Sequence, residues 1–172
     1  YVIAPNHQSY WDAFLVYGYI GIKFKWMMKK ELSRIPFVGW ACYMAGCIFI
    51  DRSSRGSGME SIRKAESKLK NGMSVVIFPE GTRTHDGEMG KFKRGAFLIS
   101  EELHLPILPV TIDGNYQVMS RHAWKVTWHS VHMTVHEPVW PKSTADTSET
   151  ELKSMMAQTS DEVFKTIKES LD

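Results

Sequence analysis

His7 and Asp12 stand five residues apart in the stretch NHQSYWD. An imidazole accepts a proton near neutral pH, and a carboxylate on one ring nitrogen fixes the tautomer that leaves the other nitrogen free. A five-residue step inside a regular helix would not align the two side chains. The pairing therefore requires His7 on the loop ahead of a helix and Asp12 in its first turn. Two readings stay open on the residues alone. In one, the pair is the working half of a triad. In the other, Asp12 only completes a capping box with Ser9, and His7 is a surface loop residue. The chain has no GxSxG, so in the first reading the activated hydroxyl belongs to a substrate.

Two further stretches carry chemistry at the ends of apolar runs. GCIFIDR delivers Arg52, whose plainer reading is an ion pair with Asp51. FPEGTRT delivers Glu80, Gly81, Thr82 and Arg83. Gly81 permits close backbone approach, Thr82 offers a hydroxyl, and the planar fork of Arg83 matches phosphate oxygens. Glu80 is out of place in an anion site unless it orients an arginine or accepts from a substrate hydroxyl. Lys93 and Arg94, in GKFKRGAF, either add positive charge there or cap a loop. His129, His132 and His136 look like a metal cluster, but on a strand His129 and His132 point to opposite faces, and no metal is expected.

The elements that must position these groups alternate. YVIAP, KFKWMM, GCIFI, SVVIFP and PILPVTID read as strands, and KVTWHSVHMTVHEPV alternates as a long strand. Helices are expected from Ser9 to Ile20, over about 33–44 with Ser33 as cap, and over GAFLISEEL. MESIRKAESKLKNG is amphipathic, with Ile62, Ala65 and Leu69 on one face and Asn71-Gly72 as its stop. Ser148 with Glu151 opens a final helix with a stripe of Leu152, Met155, Phe164, Ile167 and Leu171, which packs back on the domain or docks elsewhere. Strands alternating with helices imply an α/β layered domain with a largely parallel or mixed central sheet flanked by helices. In such sheets ligands bind beyond the strand ends, where all three motifs fall. The division expected is a domain over 1–140 and a linker plus amphipathic helix over 141–172.

A chain of 172 residues with 43% hydrophobic content, six tryptophans and 23% charge suits one globular domain. A net charge of +2 does not imply nucleic acid. The charge is uneven: Lys23 to Arg34 holds five basic residues and one acid, interleaved with Phe24, Trp26, Met27 and Met28. Such a mixture suits an anionic lipid surface or, more plainly, a solvated strand edge. Cys42 and Cys47 have no metal spacing and read as buried thiols of a reducing compartment. The longest uncharged run, Ile35 to Ile50, has sixteen residues, short of the roughly 20 a spanning helix needs. The opening YVIAPNH lies inside a strand-like run without a methionine, so upstream sequence, including a membrane-anchoring segment, is expected.

Taken in order, HxxxxD at His7 and Asp12, GCIFIDR, FPEGTR and the LPILPV strand resemble four blocks of the glycerolipid acyltransferases, and most of all the 1-acylglycerol-3-phosphate acyltransferase branch. Asp12 and the full EGTR favour that branch over the related lipid A acyltransferases, which carry glutamate in place of the aspartate. The resemblance runs over most of Tyr1 to Val139; the tail after Pro141 matches nothing. It implies His7 as general base, Asp12 as its orienter, and Arg52, Gly81, Thr82 and Arg83 around an acceptor phosphate, with Glu80 positioning the glycerol; Lys93 is expected to add charge there. The implied reaction moves a fatty acyl group from acyl-CoA or acyl carrier protein to the sn-2 hydroxyl of lysophosphatidate, giving phosphatidate, with no cofactor, at the cytoplasmic face of a membrane. Rival expectations are another acceptor (glycerol-3-phosphate, another lysophospholipid or an amino-lipid), a thioester hydrolase, or a non-catalytic phospholipid-binding module.

Overall fold

The computed structural model describes residues 1–50, 57–69, 72–144 and 146–172, without the side chains of residues 57–59 and 61. Arg52, Asp51 and Asn71 lie outside the described residues.

Six strands form one sheet in the order β3-β2-β4-β1-β5-β6. They are β1 (Val2–Pro5), β2 (Phe24–Lys29), β3 (Ile48–Ile50), β4 (Ser74–Val76), β5 (Ile107–Asp113) and β6 (His132–Val135). The first five run parallel, and β6 pairs antiparallel with β5. β1 is central, between β4 and β5, and all four of its residues are buried. That is why these strands read as near-continuous apolar runs: a parallel sheet is covered on both faces.

Strand alternation splits the core in two. Val2, Ala4, Val75 and Ile77 face one layer, where α3 (Ser57–Lys68), α4 (Gly95–Glu102) and α6 (Glu149–Glu169) pack through Ile62, Ala65, Phe97, Met156, Val163 and Ile167. Ile3, Val76, Val110 and Ile112 face the other, with Val16 of α1 (Asp12–Tyr19) and Cys42 of α2 (Val38–Met44). Neighbouring β1 and β4 thus lead to helices on opposite faces, which opens a crevice between the loops that follow them.

The amphipathic face of α3 is as expected, with Ile62 and Ala65 buried and Leu69 packed against them. Three elements differ. The helix expected over 33–44 is broken into a 3-10 turn, Lys30–Arg34, and α2, because Pro36 and a left-handed Phe37 (φ 63°) interrupt it. Ser33 caps nothing; its hydroxyl donates back to Lys30 O. The long strand at 125–139 shrinks to the four residues of β6 and a bridge from Val139 to Ile107. The stripe of α6 keeps Leu152, Ile167 and Leu171 as expected, but Met156 and Val163 are buried where Met155 and Phe164 are expected, and Thr159 joins them. Its capping box between Ser148 and Glu151 is present, a motif that contributes about 1 kcal/mol.

Buried Glu101 locks the C-terminal segment to α4. Its carboxylate accepts from the backbone N–H groups of Lys142 and Ser143 at 3.0 and 2.9 Å and from the Thr159 hydroxyl at 3.2 Å. Both cysteines are free. Burial and the neighbouring Cys42 push the Cys47 thiol up to about 11, so it stays protonated and inert.

Candidate active site

The chain leaves β1 at Pro5 and is tied down at once. Asn6 donates to Ile112 O at 2.8 Å and accepts from Ile112 N at 2.6 Å, so the end of β5 holds the loop that carries His7. The His7 ring stacks on Phe78, with centroids 3.7 Å apart and planes 12° from parallel, and Phe78 stacks in turn on Trp26. His7 N donates to Glu80 Oε1 at 2.7 Å, and His7 O accepts from Thr84 N at 2.9 Å. The loops after β1 and β4 are thereby knitted together.

Asp12 opens α1 and is fully buried. Its Oδ2 accepts from Gln8 N and Ser9 N at 2.7 and 2.8 Å and contacts His7 Nδ1 at 2.7 Å. An oxygen already taking two backbone N–H groups acts as an acceptor, so Nδ1 carries the ring hydrogen and Nε2 keeps its lone pair. Nε2 has no partner among the described residues, and the side chain is 18% exposed. The other oxygen, Oδ1, accepts from the Asn115 side-chain amide at 2.7 Å. The capping-box reading of Ser9 is half right. Its N–H goes to Asp12, but its hydroxyl donates to Met119 O at 2.7 Å, and the helix begins at Asp12 with no side-chain cap.

The loop after β4 turns on Gly81, whose φ of 69° suits glycine and whose N–H donates to Phe78 O at 3.0 Å. Glu80 points inward. Its carboxylate accepts from His7 N and from Gly90 N, the latter at 2.8 Å. A Cβ on Gly90 would sit 3.1 Å from Glu80 Oε2, so glycine is what lets that amide come close. Burial pushes the Glu80 carboxyl up to about 7, partly offset by those two amides and reinforced by the nearby charge of Asp12. In this geometry Glu80 braces the histidine loop.

Arg83 lies over the Tyr10 ring, its Cζ 3.5 Å from the centroid, a cation–π contact that fixes the guanidinium. Its Nη1 is buried without a hydrogen-bond partner among the described residues. A buried unsatisfied donor calls for a partner, and the planar guanidinium fork suits an anion. Thr82 is exposed, and its Oγ1 accepts from Arg121 Nη1 at 3.0 Å. Lys93 donates its backbone N–H to Pro79 O at 2.8 Å, and its exposed side chain lines a cavity of about 320 Å³ together with Glu80, Thr82 and Arg83.

Of the sequence-selected residues, Glu80, Thr82, Arg83 and Lys93 line one cavity beside the Gly81 turn, and Glu80 ties it to the loop on which Asp12 holds His7. The residues that sequence reasoning missed are Asn6, Tyr10, Phe78, Asn115 and Arg121. Asn115 had a signal: like the motifs, IDGN places a polar residue straight after a buried strand. His136 Nε2 is 2.7 Å from Thr111 Oγ1, and no metal-holding group of three His, Cys, Asp or Glu occurs among the described residues.

A His–Asp pair and an arginine loop set side by side at the crevice of a largely parallel α/β sheet define the class of this protein. Residues 1–113 match the family model described as Acyltransferase, and the chain belongs to that family. A chloroplastic 1-acyl-sn-glycerol-3-phosphate acyltransferase of Arabidopsis thaliana is 33% identical over 161 residues, 93% of this chain and 45% of that protein. The 1-acyl-sn-glycerol-3-phosphate acyltransferase of Pseudomonas aeruginosa is 40% identical over 110 residues, 63% of this chain and 42% of that one. The crystal structure of the 1-acyl-sn-glycerophosphate acyltransferase PlsC from Thermotoga maritima superposes with a TM-score of 0.69 at 34% identity, over 96% of this chain and 66% of that one. The chain spans less than half the length of the two curated relatives.

Proposed function

We propose that the chain transfers a fatty acyl group from an acyl thioester to the sn-2 hydroxyl of lysophosphatidate, giving phosphatidate. The observation that carries this reading is a histidine held through Nδ1 by Asp12, on a loop bonded to the one that carries Arg83, with its Nε2 and the Arg83 Nη1 both without a partner among the described residues. The names of the relatives support the same acceptor.

The acceptor phosphate binds the Arg83 guanidinium, with the Gly81 turn allowing close approach and Lys93 adding charge. The role the motif assigns to Arg52 in this clamp is open to substitution alone. Held there, the sn-2 hydroxyl meets His7, and positioning of one hydroxyl against one carbonyl lowers the barrier. Nε2 takes the hydroxyl proton as oxygen attacks the thioester carbon. The tetrahedral intermediate collapses, the C–S bond breaks, and the proton on Nε2 passes to the leaving thiolate. Asp12 stabilises the imidazolium between the two steps. Coenzyme A and acyl carrier protein both present the required thioester.

An apolar groove of about 430 Å³ runs between α1 and the segment before β6, lined by Trp11, Phe14, Leu15, Val118, Val126 and Trp128. We assign it to an acyl chain; its size suits a small-molecule site, about 300–1,000 Å³. The protein works at a membrane surface, on the cytoplasmic side. Among the described residues, the exposed large apolar side chains lie outside α3, α4 and α6 and include Phe37, Trp40, Tyr43 and Met44 beside the basic stretch from Lys23 to Arg34. No helix among the described residues is long and apolar enough to cross a membrane.

Transfer of a radiolabelled acyl group from acyl-CoA, and in parallel from acyl carrier protein, to lysophosphatidate tests the reading. Glycerol-3-phosphate, lysophosphatidylcholine and water are the competing acceptors. Labelled phosphatidate that disappears with His7→Ala is the expected result. Label moving only to water, or to no acceptor, would overturn it.

A further inference from the structure

Arg121 belongs to no motif, yet its Nη1 donates to Thr82 Oγ1 and approaches His85 Nε2, both at 3.0 Å. It reaches that loop from just beyond α5 (Asn115–Val118), on the segment whose Met119 carbonyl holds the Ser9 hydroxyl, next to Tyr10 under Arg83. Arg121 therefore contacts Thr82, the residue next to Arg83 in the chain. Neither arginine makes an ion pair among the described residues. Surface lysines such as Lys64, Lys153 and Lys168, by contrast, each reach a carboxylate. Asp86, a nearby acid on this loop, takes the Thr84 hydroxyl and Glu88 N on its Oδ1.

A guanidinium has five N–H donors in a planar fork. Arg121 commits only Nη1; the N–H groups on Nη2 and Nε have no partner among the described residues. Arg83 has its own unpartnered Nη1. A guanidinium on the Thr82 hydroxyl and a second on the next residue fit a phosphate monoester, whose two negative charges and three terminal oxygens a single arginine leaves half-satisfied. A phosphodiester presents one charge and two free oxygens, and has less to offer a second fork.

We infer that Arg121 is a second guanidinium on the acceptor phosphate and the residue that selects a phosphate monoester over a phosphodiester headgroup. This rests on the proposed acyl transfer to lysophosphatidate.

The test compares wild type with Arg121→Met and Arg121→Lys, using lysophosphatidate and lysophosphatidylglycerol as acceptors. Calorimetric binding of each lipid, in neutral detergent and without a thioester, is measured beside turnover. Arg121→Met is expected to raise KM and Kd for lysophosphatidate by about tenfold or more, while leaving kcat, the KM for the thioester and the values for the phosphodiester within about twofold. Arg121→Lys should recover part of the loss, since it restores charge without the fork. Equal weakening of both acceptors, or a fall in kcat with KM unchanged, would make Arg121 only a brace for Thr82 and overturn the inference. A wild type that binds lysophosphatidate without transferring acyl groups would defeat the catalytic reading yet leave the binding comparison to decide on Arg121. A wild type that does not bind it defeats both.

Discussion

Asn115 donates its side-chain amide to Asp12 Oδ1 at 2.7 Å across 103 residues of sequence. The carboxylate that holds His7 is thus itself held from the first residue of α5, just beyond β5. Asn115 does not touch His7; it positions the residue that does. Removing it leaves an oxygen of a fully buried carboxylate without a donor, at a cost of about 1–3 kcal/mol. Asn115→Ala should therefore lower the unfolding free energy by that amount. It should also reduce kcat on the order of tenfold, ~1.4 kcal/mol of barrier, with KM for both substrates unchanged. Denaturant titration and steady-state kinetics check the two halves; normal turnover in a destabilised variant would reduce Asn115 to a structural role.

Asp12→Asn keeps the shape and removes the acceptor. One of its two polar atoms becomes a donor, so it cannot serve Gln8 N, Ser9 N, His7 Nδ1 and Asn115 together. The His7 tautomer is no longer enforced. Acyl transfer should fall roughly a thousandfold or more, while circular dichroism stays close to wild type. A loss of under tenfold would show that His7 orients itself, through its stack on Phe78 alone.

Glu80 makes stability fall as pH rises. Its carboxyl sits near 7 in the fold against an ordinary 4.5, so the folded chain binds this proton more tightly than the unfolded one. Its contribution is full below the ordinary value and lost as pH climbs through about 7. The gap corresponds to about 3 kcal/mol. Glu80→Gln cannot accept from both His7 N and Gly90 N, so it starts lower by a pH-independent amount. Relative to that variant, wild type should lose up to about 3 kcal/mol between pH 4.5 and 8. A constant difference across that range would show that Glu80 titrates normally.

These relationships were unequally legible in the sequence. His7, Asp12 and the loop from Glu80 to Arg83 could be read because each is local: a polar cluster directly after an apolar strand. The strands β1 and β4 and the face of α3 were legible for the same reason. Asn115, Arg121 and the stack of Arg83 on Tyr10 were not, because they depend on which strand lies beside which, and parallel neighbours are far apart in sequence. α2 was overextended because Phe37 in a left-handed conformation has no signature of its own, even with Pro36 beside it. In the stripe of α6 only two positions escape the sequence, Met156 rather than Met155 and Val163 rather than Phe164, because adjacent apolar residues are told apart only by packing. Thr159, buried in that stripe, was missed because its place is secured by Glu101 rather than by apolarity.

The α2 surface makes a separate case. Phe37, Trp40, Tyr43 and Met44 are 79, 71, 79 and 86% exposed, and Lys29, Lys30 and Arg34 flank them in sequence. Aromatics beside cations suit the interface of an anionic bilayer. Replacing Phe37 and Trp40 with serine, or neutralising Lys23, Lys25, Lys29 and Lys30, should each cut co-sedimentation with anionic vesicles by tenfold or more, since each lysine near such a surface contributes about 1 kcal/mol. The lysine effect should shrink in high salt and the aromatic effect should not. Unchanged sedimentation in both variants would remove this surface from the membrane reading.

Acyl-chain preference should be set in the groove between α1 and the segment from Val126 to Val131. Leu15 and Val118 line it from two elements, and both are half-buried, so a larger side chain at either position fills space a chain would occupy. Each methylene displaced from an apolar site costs about 0.8 kcal/mol. If Leu15→Trp excludes two methylenes, kcat/KM for long thioesters falls by roughly tenfold, while short ones, which never reached that depth, are unaffected. Competition between C8 and C16 acyl-CoA measures the ratio directly and cancels differences in enzyme concentration. A parallel fall for both chains would mean that the tryptophan disturbs α1, and with it Asp12, rather than the groove. An unchanged ratio at full activity would mean that the acyl chain lies elsewhere.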